Sequence, residues 1–366
     1  MNESLEGRFR TKRARRLRAS AFVAPLLLAL SNQAWADDLP RVVILATGGT
    51  IAGSAETGTQ AGYASGQVGV DLLIGAVPEL SELASITGEQ VANVGSQDMS
   101  DEIWLSLARR VNALQADPAV DGIVITHGTD TIEETGYFLN LVVDGDKPVV
   151  MTAAMRPSTA LSADGPLNIF NAVAVAADPE ARGRGVLVVV NDDIHGARSI
   201  TKTNTTDVHT FESPERGLIG VTLYGENRYF RRPYRQHTGR SDFSLEGVEA
   251  LPRVDVIYIT AGVSADLIDS AAANGAKGIV TAGVGNGNMT SEALESVGRA
   301  TAEGVAVVRS TRLPAGSVGR DVEVDDDALG TVASGELGPA KARVLLKLAL
   351  LTTRDAGEIQ RLFDTH

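Results

Sequence analysis

The sequence predicts an α/β protein of two domains. The larger N-terminal domain has a mostly parallel sheet flanked by helices, and the smaller C-terminal α/β domain has its own parallel sheet. The chain has 366 residues, which is enough for two hydrophobic cores. Short β-branched apolar runs alternate with stretches of helical period, as in βαβ units. Residues 231–252 are rich in charge, Pro and Gly without a period, and we expect them to link residues 40–230 to residues 253–366.

The first 36 residues predict a signal peptide. Seven Lys and Arg residues lie within the first 18 positions, an apolar stretch follows at 19–30, and Ala34-Trp35-Ala36 is a small-x-small site. This order is typical of a cleavable export signal. The alternative is a membrane anchor, but about a dozen apolar residues are fewer than the roughly 20 that span a bilayer. We therefore expect export and cleavage near Ala36.

Composition narrows the function classes. The formal net charge is −13, and it becomes −18 once residues 1–36 are removed, because that segment holds seven basic and two acidic residues. Such a charge argues against nucleic-acid or anionic-membrane partners, which require basic surfaces. Cysteine is absent, so neither thiolate chemistry nor a disulfide framework is available. The five histidines show no metal-ligand spacing, and we expect neither a metal nor another cofactor.

Apolar runs and helical periods give the expected elements. A helix at 101–114, for example, has apolar residues at 103, 104, 107, 111 and 114. In the first domain we expect strands at 42–46, 90–94, 121–126, 147–153 and 185–190, and helices at 72–83, 101–114, from 131, and 169–177. In the second domain we expect strands at 254–260, 278–282 and 305–310 and a helix at 339–351. The run 325–327 (Asp-Asp-Asp) is expected to be a solvated acidic turn.

Polar turns follow four of these strands, at 47–50, 95–98, 126–130 and 284–288. We expect them at one sheet edge, because ligands bind at the carboxyl ends of strands in open α/β sheets. Gly48 and Gly49 permit positive φ and leave space for a ligand, and Thr50 follows them as the candidate nucleophile. A single Thr after a strand is also a common helix N-cap, so each of Thr50 and Thr129 alone could be structural.

Acyl transfer by a hydroxyl fits these residues. A hydroxyl nucleophile needs a base or relay and donors for the oxyanion. Thr50 and Thr129 supply hydroxyls, and the glycine turns supply backbone N–H groups. Lys202, in a polar loop at 198–205, could accept a proton if burial neutralises it, with Asp130 orienting it. The alternative for Lys202 is an ordinary surface lysine.

Two motifs resemble the signatures of bacterial asparaginases and glutaminase-asparaginases. They are Ala46-Thr47-Gly48-Gly49-Thr50-Ile51-Ala52 and Ile125-Thr126-His127-Gly128-Thr129-Asp130-Thr131. The resemblance extends from about residue 41 to 364 without a large insertion. With the export signal, the chain resembles the type II, periplasmic members of the family.

The resemblance implies roles for individual residues. Thr50 would attack the side-chain amide of L-asparagine, giving a β-aspartyl ester and ammonia, and water would then release aspartate. Tyr63, on a mobile loop, would hydrogen-bond Thr50. Thr129, Asp130 and Lys202 would activate the nucleophile or the water, and the sequence leaves open which threonine attacks first. The substrate's α-carboxylate and α-amino groups would be bound by Ser96, Gln97, Thr129 and Asp130.

The resemblance also implies shared active sites. Asn288 and Glu323 match residues that a neighbouring subunit supplies, which implies a homotetramer built as a dimer of dimers. Asn at position 288 favours asparagine over glutamine, with a dual glutaminase-asparaginase as the alternative. A rival from another class is a periplasmic amino-acid binding protein, which would need the binding cleft but no nucleophile or Lys–Asp pair.

Overall fold

The computed structural model describes residues 39–59, 66 and 69–366. The predicted signal peptide and Tyr63 lie outside the described residues. Within the described ranges, no helix is both long and apolar enough to cross a membrane.

The first half of the chain forms a mixed sheet. In the described part, eight strands lie in the order β10-β9-β6-β5-β4-β3-β1-β2, and β7 pairs with β8 separately. The strands are β1 (Arg41–Gly48), β2 (Ser85–Val94), β3 (Gly122–Thr126), β4 (Val149–Thr152), β5 (Val186–Val190), β6 (Asp193–Gly196), β7 (Thr201–Lys202), β8 (Phe211–Glu212), β9 (Gly220–Leu223) and β10 (Glu226–Tyr229). Strands β1 to β5 are parallel, whereas β6, β9 and β10 extend the sheet in antiparallel fashion.

Helices cover this sheet and bury its apolar runs. They are α1 (Val70–Gly75), α2 (Leu80–Leu83), α3 (Asp101–Ala116), α4 (Ile132–Val142) and α5 (Gly165–Ala177). Helix α3 begins where Ser100 Oγ accepts a hydrogen bond from the Ile103 amide (3.3 Å), which is an N-cap. Its side chains at 104, 107, 111 and 114 are buried, as the predicted period requires. Strand β1 is buried on both faces from residue 42 onwards, which explains its unbroken apolar run.

The second half of the chain has its own sheet. Four parallel strands of the described part lie in the order β11-β12-β13-β14. The elements are β11 (Val254–Tyr258), α6 (Asp266–Ala273), β12 (Gly278–Gly283), α7 (Ser291–Ala302), β13 (Ala306–Thr311), α8 (Asp326–Leu329), β14 (Thr331–Ala333), α9 (Pro339–Ala349) and α10 (Ala356–Thr365). The predicted fold class, a large mostly parallel sheet followed by a smaller parallel one, is confirmed.

The strand order determines where a ligand can bind. Strands β2-β1-β3-β4-β5 follow the flavodoxin-like order 2-1-3-4-5, in which the crevice opens between β1 and β3. The register pairs Ala46 of β1 with Thr126 of β3, so the residues that follow each strand lie at the same edge. The turns carrying Thr50 and Thr129 therefore meet at the topological switch point.

Candidate active site

The turns after β1 and β3 are in direct backbone contact. Thr47 Oγ1 donates to Thr126 O (2.9 Å). Gly49 has φ 82° and ψ −171°, a region that is essentially restricted to glycine. A Cβ on Gly49 would lie 2.4 Å from both Cα and N of Gly128. The predicted positive φ is present, but the space left by the missing Cβ is filled by the backbone of Gly128 and not by a ligand.

Thr50 begins a short 3₁₀ helix, Thr50–Ala52, directly after this contact. The Gly53 amide closes it by donating to Thr50 O (2.7 Å). Thr50 is 5% exposed, so little water contacts its side chain. Because Gly49 packs on Gly128, the structure places the two threonines that follow these glycines on adjoining turns.

The turn after β2 is joined to the same cluster. Asp130 N donates to Ser96 Oγ (3.2 Å), and Thr131 Oγ1 donates to Ser96 O (2.7 Å). A Cβ on Gly128 would lie 2.6 Å from Ser96 Oγ, so this glycine too is required by a close approach. Gln97 is exposed beside the buried Ser96. Three strand ends thus converge as expected.

Lys202 completes the cluster from β7, which belongs to the separate two-stranded sheet. Its Nζ donates to Thr129 Oγ1 (2.9 Å) and to Asp130 Oδ1 (2.6 Å). The Lys202 side chain is 18% exposed and that of Asp130 is 60% exposed. Lys202 lies on β7, where it pairs with Phe211 of β8, rather than in the expected loop. Because the ammonium donates to the Thr129 oxygen, the Thr129 hydroxyl hydrogen is directed elsewhere.

His127 is a neighbour of the site that sequence reasoning did not select. Its side chain is fully buried, and burial lowers the pKa of the imidazole to about 4. It is therefore neutral at pH 7, and Nδ1 lies 2.8 Å from Gly128 O. This contact indicates the tautomer with the proton on Nδ1, which restrains the Gly128 peptide. The only available signal in the sequence was its position between Thr126 and Gly128.

The fourth polar turn does not belong to this edge. Residues 284–288 follow β12, which lies in the four-stranded sheet, so the expectation of four turns at one edge is wrong. Asn288 Nδ2 donates to Glu323 Oε2. In the described part of the chain, no hydrogen bond or ion pair joins Asn288 or Glu323 to Thr129, Asp130 or Lys202. The structure thus gathers the predicted residues into two separate groups.

The acidic run at 325–327 is also not a simple solvated turn. Asp326 is fully buried and forms a bidentate ion pair with Arg309, Nε and Nη2 each 2.6 Å from a carboxylate oxygen. Burial raises the pKa of the Asp326 carboxyl, but hydrogen bonds from Arg309 and Thr331 outweigh it and hold that pKa below its usual value. Asp325 and Asp327 are exposed as expected.

Comparison with known proteins matches both halves of the chain to one family. Residues 41–235 match the family described as "Asparaginase, N-terminal", and residues 253–363 match the "Glutaminase/Asparaginase C-terminal domain". The probable periplasmic L-asparaginase of Haemophilus influenzae is 50% identical over 90% of this chain and 94% of its own length. The glutaminase-asparaginase of Acinetobacter glutaminasificans is 47% identical over 88% of this chain and 98% of its own length.

A solved structure agrees with the sequence comparison. The crystal structure of a probable cytoplasmic L-asparaginase from Campylobacter jejuni has a TM-score of 0.87 and 43% identity, covering 89% of this chain and all of its own. The two family matches together span most of the described residues, including every strand of both sheets. The predicted family is confirmed, and so is the prediction of an enzyme in place of an amino-acid binding protein: the chain belongs to the asparaginase family.

Proposed function

We propose that this chain hydrolyses the side-chain amide of L-asparagine to L-aspartate and ammonia, with Thr50 as the nucleophile. The observation that carries the proposal is that Lys202 of β7 binds Thr129 and Asp130 on the turn that packs against Gly49. Lys202 Nζ donates to the buried Thr129 hydroxyl and to the largely exposed Asp130 carboxylate, and these contacts support a proton relay at this sheet edge. The names of the relatives support the substrate class.

The proposed reaction has two steps. In the first, Thr50 Oγ attacks the amide carbon, a C–O bond forms and the C–N bond breaks. The Thr50 hydroxyl proton leaves with the amide nitrogen as ammonia, and a β-aspartyl ester remains. In the second step, water adds to the ester carbon, aspartate is released and the Thr50 hydroxyl is restored. Thr129 and Lys202 would move the proton in each step, and Tyr63 would hydrogen-bond Thr50.

The polar groups around the cluster suit an amino acid. The Asp130 carboxylate is largely exposed although it is paired with Lys202, so it can also accept from an α-ammonium group. Ser96 and Gln97 are proposed to bind the α-carboxylate. Free backbone N–H groups at glycine turns are the usual donors to a developing oxyanion. Asn288 and Glu323 would be supplied by a neighbouring subunit, in a homotetramer of two dimers.

The second candidate is a dual glutaminase-asparaginase. It is favoured by the 47% identity to a protein of that name. Asn288 favours asparagine, because dual enzymes of the family tend to have Ser at the matching position. We also propose that the chain is exported to the periplasm. The signal-like residues 1–36 and the relative that is named periplasmic support this localisation.

Ammonia release from asparagine and glutamine tests the proposal. We expect the purified chain to release ammonia from asparagine with a higher kcat/KM than from glutamine. The variant Thr50→Val should fold normally and lose turnover. No ammonia from either substrate would refute the amidohydrolase, and an unchanged kcat in Thr50→Val would refute the nucleophile.

A further inference from the structure

Two loops of the second domain carry the residues proposed to reach a neighbour's site. The Asn288 loop (284–288) follows β12, and the Glu323 loop (312–325) follows β13. The Asn288 loop is a tight turn, closed by paired amides of Val284 and Asn288 (2.9 and 2.8 Å). Its Asn286 Oδ1 accepts from Gly319 N of the Glu323 loop (2.9 Å). The two loops are therefore joined by a hydrogen bond that involves neither Asn288 nor Glu323.

Arg309 lies beneath both loops and uses every guanidinium donor group on them or on Asp326. Its side chain is 1% exposed. Nη1 donates to the backbone oxygens of Asn286 (3.3 Å) and Gly287 (3.4 Å), and Nη2 donates to Gly319 O (3.1 Å). Nε and Nη2 also donate to Asp326. One side chain thus donates to backbone oxygens of the Asn288 loop and the Glu323 loop and to the carboxylate of Asp326, the residue that starts α8.

The position of Arg309 is itself fixed. It lies within β13, opposite Thr281 of β12 and Ala333 of β14. Asp326 is oriented by further donors, Asp321 N (3.0 Å) and Thr331 Oγ1 (2.5 Å). A Cβ on Gly287 would lie 3.2 Å from Arg309 Nη1, so glycine allows this close packing. The Arg309 guanidinium is thus fixed at one end by its strand and at the other by the oriented Asp326 carboxylate.

A buried ion pair contributes little net stability compared with apolar residues of the same volume, because both charges lose their hydration. What it provides is geometry, since a planar guanidinium fixes several acceptors at once. Lysine has the charge but only three donors from one point. The backbone acceptors here are the oxygens of Asn286, Gly287 and Gly319, which precede Asn288 and Glu323 in the two loops. The side chains of Asn288 and Glu323 hydrogen-bond to each other.

We propose that Arg309 is a positioning residue that holds the Asn288 and Glu323 loops in register, so that the two side chains act as one unit on the substrate in the neighbouring subunit. This inference rests on the proposed function, and it adds a residue that does not touch the substrate. Loss of Arg309 would then weaken substrate binding in the other chain's site and leave its own Thr50 cluster intact.

Steady-state kinetics with asparagine test the positioning role. In Arg309→Lys we expect KM to rise about tenfold or more with kcat within about threefold, the signature of lost ground-state binding. Asn286→Ala removes the link to Gly319 without disturbing the buried charges, and should raise KM by roughly threefold. The control Val297→Ala creates a cavity in a core cluster of the same domain that contains no residue of either loop, and should lower Tm without changing KM.

Mixed oligomers test whether the effect crosses the interface. Chains carrying Thr50→Val and chains carrying Arg309→Lys are co-expressed with different tags, and oligomers holding both are isolated. The Thr50→Val chain retains Arg309, so it should restore the site of its neighbour, and a component with wild-type KM should appear. If Arg309→Lys does not fold, Asn286→Ala takes its place in both experiments.

Two results would overturn the inference: an unchanged KM in folded variants, or mixed oligomers without a wild-type component. Inactive wild-type protein would instead refute the proposed function, so the two failures are distinguishable.

Discussion

Two aspartate ion pairs lie beside the two groups of predicted substrate residues, and they differ in exposure. In the first, Lys202 is 18% and Asp130 60% exposed. In the second, Arg309 is 1% and Asp326 0% exposed, although the shortest N–O distance is 2.6 Å in both. In the exposed pair, the Asp130 carboxylate is accessible to a ligand, and Lys202 Nζ donates a hydrogen bond to the Thr129 hydroxyl. The buried pair has its donors committed to backbone atoms. The exposed Lys202–Asp130 pair is therefore suited to proton transfer and ligand binding, whereas the buried Arg309–Asp326 pair is suited to holding loops in place.

The largest expected effect concerns the exposed pair. Replacing Lys202 with Met should lower kcat by about 10²–10⁴-fold, as expected when a positioned proton-transfer group is lost. The free energy of unfolding should change by no more than about 1 kcal/mol, because partly exposed ion pairs contribute little. Ammonia-release kinetics and urea unfolding of the same preparation measure both quantities. Near-normal kcat would remove Lys202 from the mechanism.

The buried pair should show the opposite pattern in stability. Asp326→Asn leaves the Arg309 charge without its counter-ion and should lower the free energy of unfolding by about 3–5 kcal/mol. The matched variant Asp130→Asn should lower it by about 1 kcal/mol or less. Denaturant melts of the two variants make the comparison direct, and equal losses would show that burial does not distinguish the pairs.

Lowering the pH should destabilise the turn around His127 before it destabilises the Arg309–Asp326 pair. The pKa of His127 is about 4 in the folded chain and 6.5 without burial, so the unfolded chain takes up its proton first. The stability contribution of the neutral imidazole is complete above pH 6.5, and about 3 kcal/mol is lost as the pH falls to 4. The lowered pKa of Asp326 keeps the Arg309 pair ionised throughout this window, since its contribution is lost only below the usual value of 3.8.

Hydrogen exchange can resolve this difference locally. Between pH 6.5 and 4, protection factors of the amides of His127 and Asp130 should fall before those of Gly319 and Asp321. In the His127→Gln variant, the protection factors of the amides of residues 127 and 130 should depend less on pH. Parallel loss of protection at all four amides would mean that His127 is not responsible.

The smallest expected difference in stability is between two variants in which a glycine is replaced with alanine. Gly49→Ala forces a side chain into a glycine-only backbone region and into the Gly128 backbone, and should cost about 1–3 kcal/mol together with most of the activity. Gly275→Ala also lies at positive φ (88°), but its Cβ would meet nothing within 4 Å and it belongs to neither loop. This control should lose less stability and retain kcat. Equal effects would show that φ strain, and not the contact between turns, dominates at Gly49.

Sequence patterns predicted β1, β3, β4, β5 and β12 because each is a short, mostly apolar run that is buried on both faces. Only part of β2 was predicted, and β2 and β11 are partly exposed. Strands β6, β9 and β10 were not predicted, since they are four residues long and two of them are partly exposed. Strand β14 has only three residues. Strand β6 folds back on β5 and β10 folds back on β9 as hairpins, whereas β9 pairs with β6 and β14 pairs with β13 across longer stretches of chain. None of these pairings is visible in a local apolar pattern.

In the candidate site, too, some features were predicted from the sequence and others were not. The turns after β1, β2 and β3 were predicted to meet because the carboxyl ends of parallel strands share an edge. Lys202 was predicted to accept a proton if burial neutralises it, and the resemblance to a family implied a catalytic role, although its neighbours in the sequence do not distinguish it from a surface lysine. The burial of Asp326 was missed, because three successive aspartates give no sign that the middle one pairs with an arginine 17 positions earlier.

The contact between Gly49 and Gly128 restricts how this enzyme can be altered. Two backbones touch there without side chains, so substitution cannot adjust the spacing of the adjoining turns by small steps. A directed-evolution library that varies these positions would consist largely of inactive members. If Gln97 and the two loops above Arg309 bind the substrate as proposed, we expect changes in substrate preference to arise there, where side chains can vary while the spacing of the threonines stays constant.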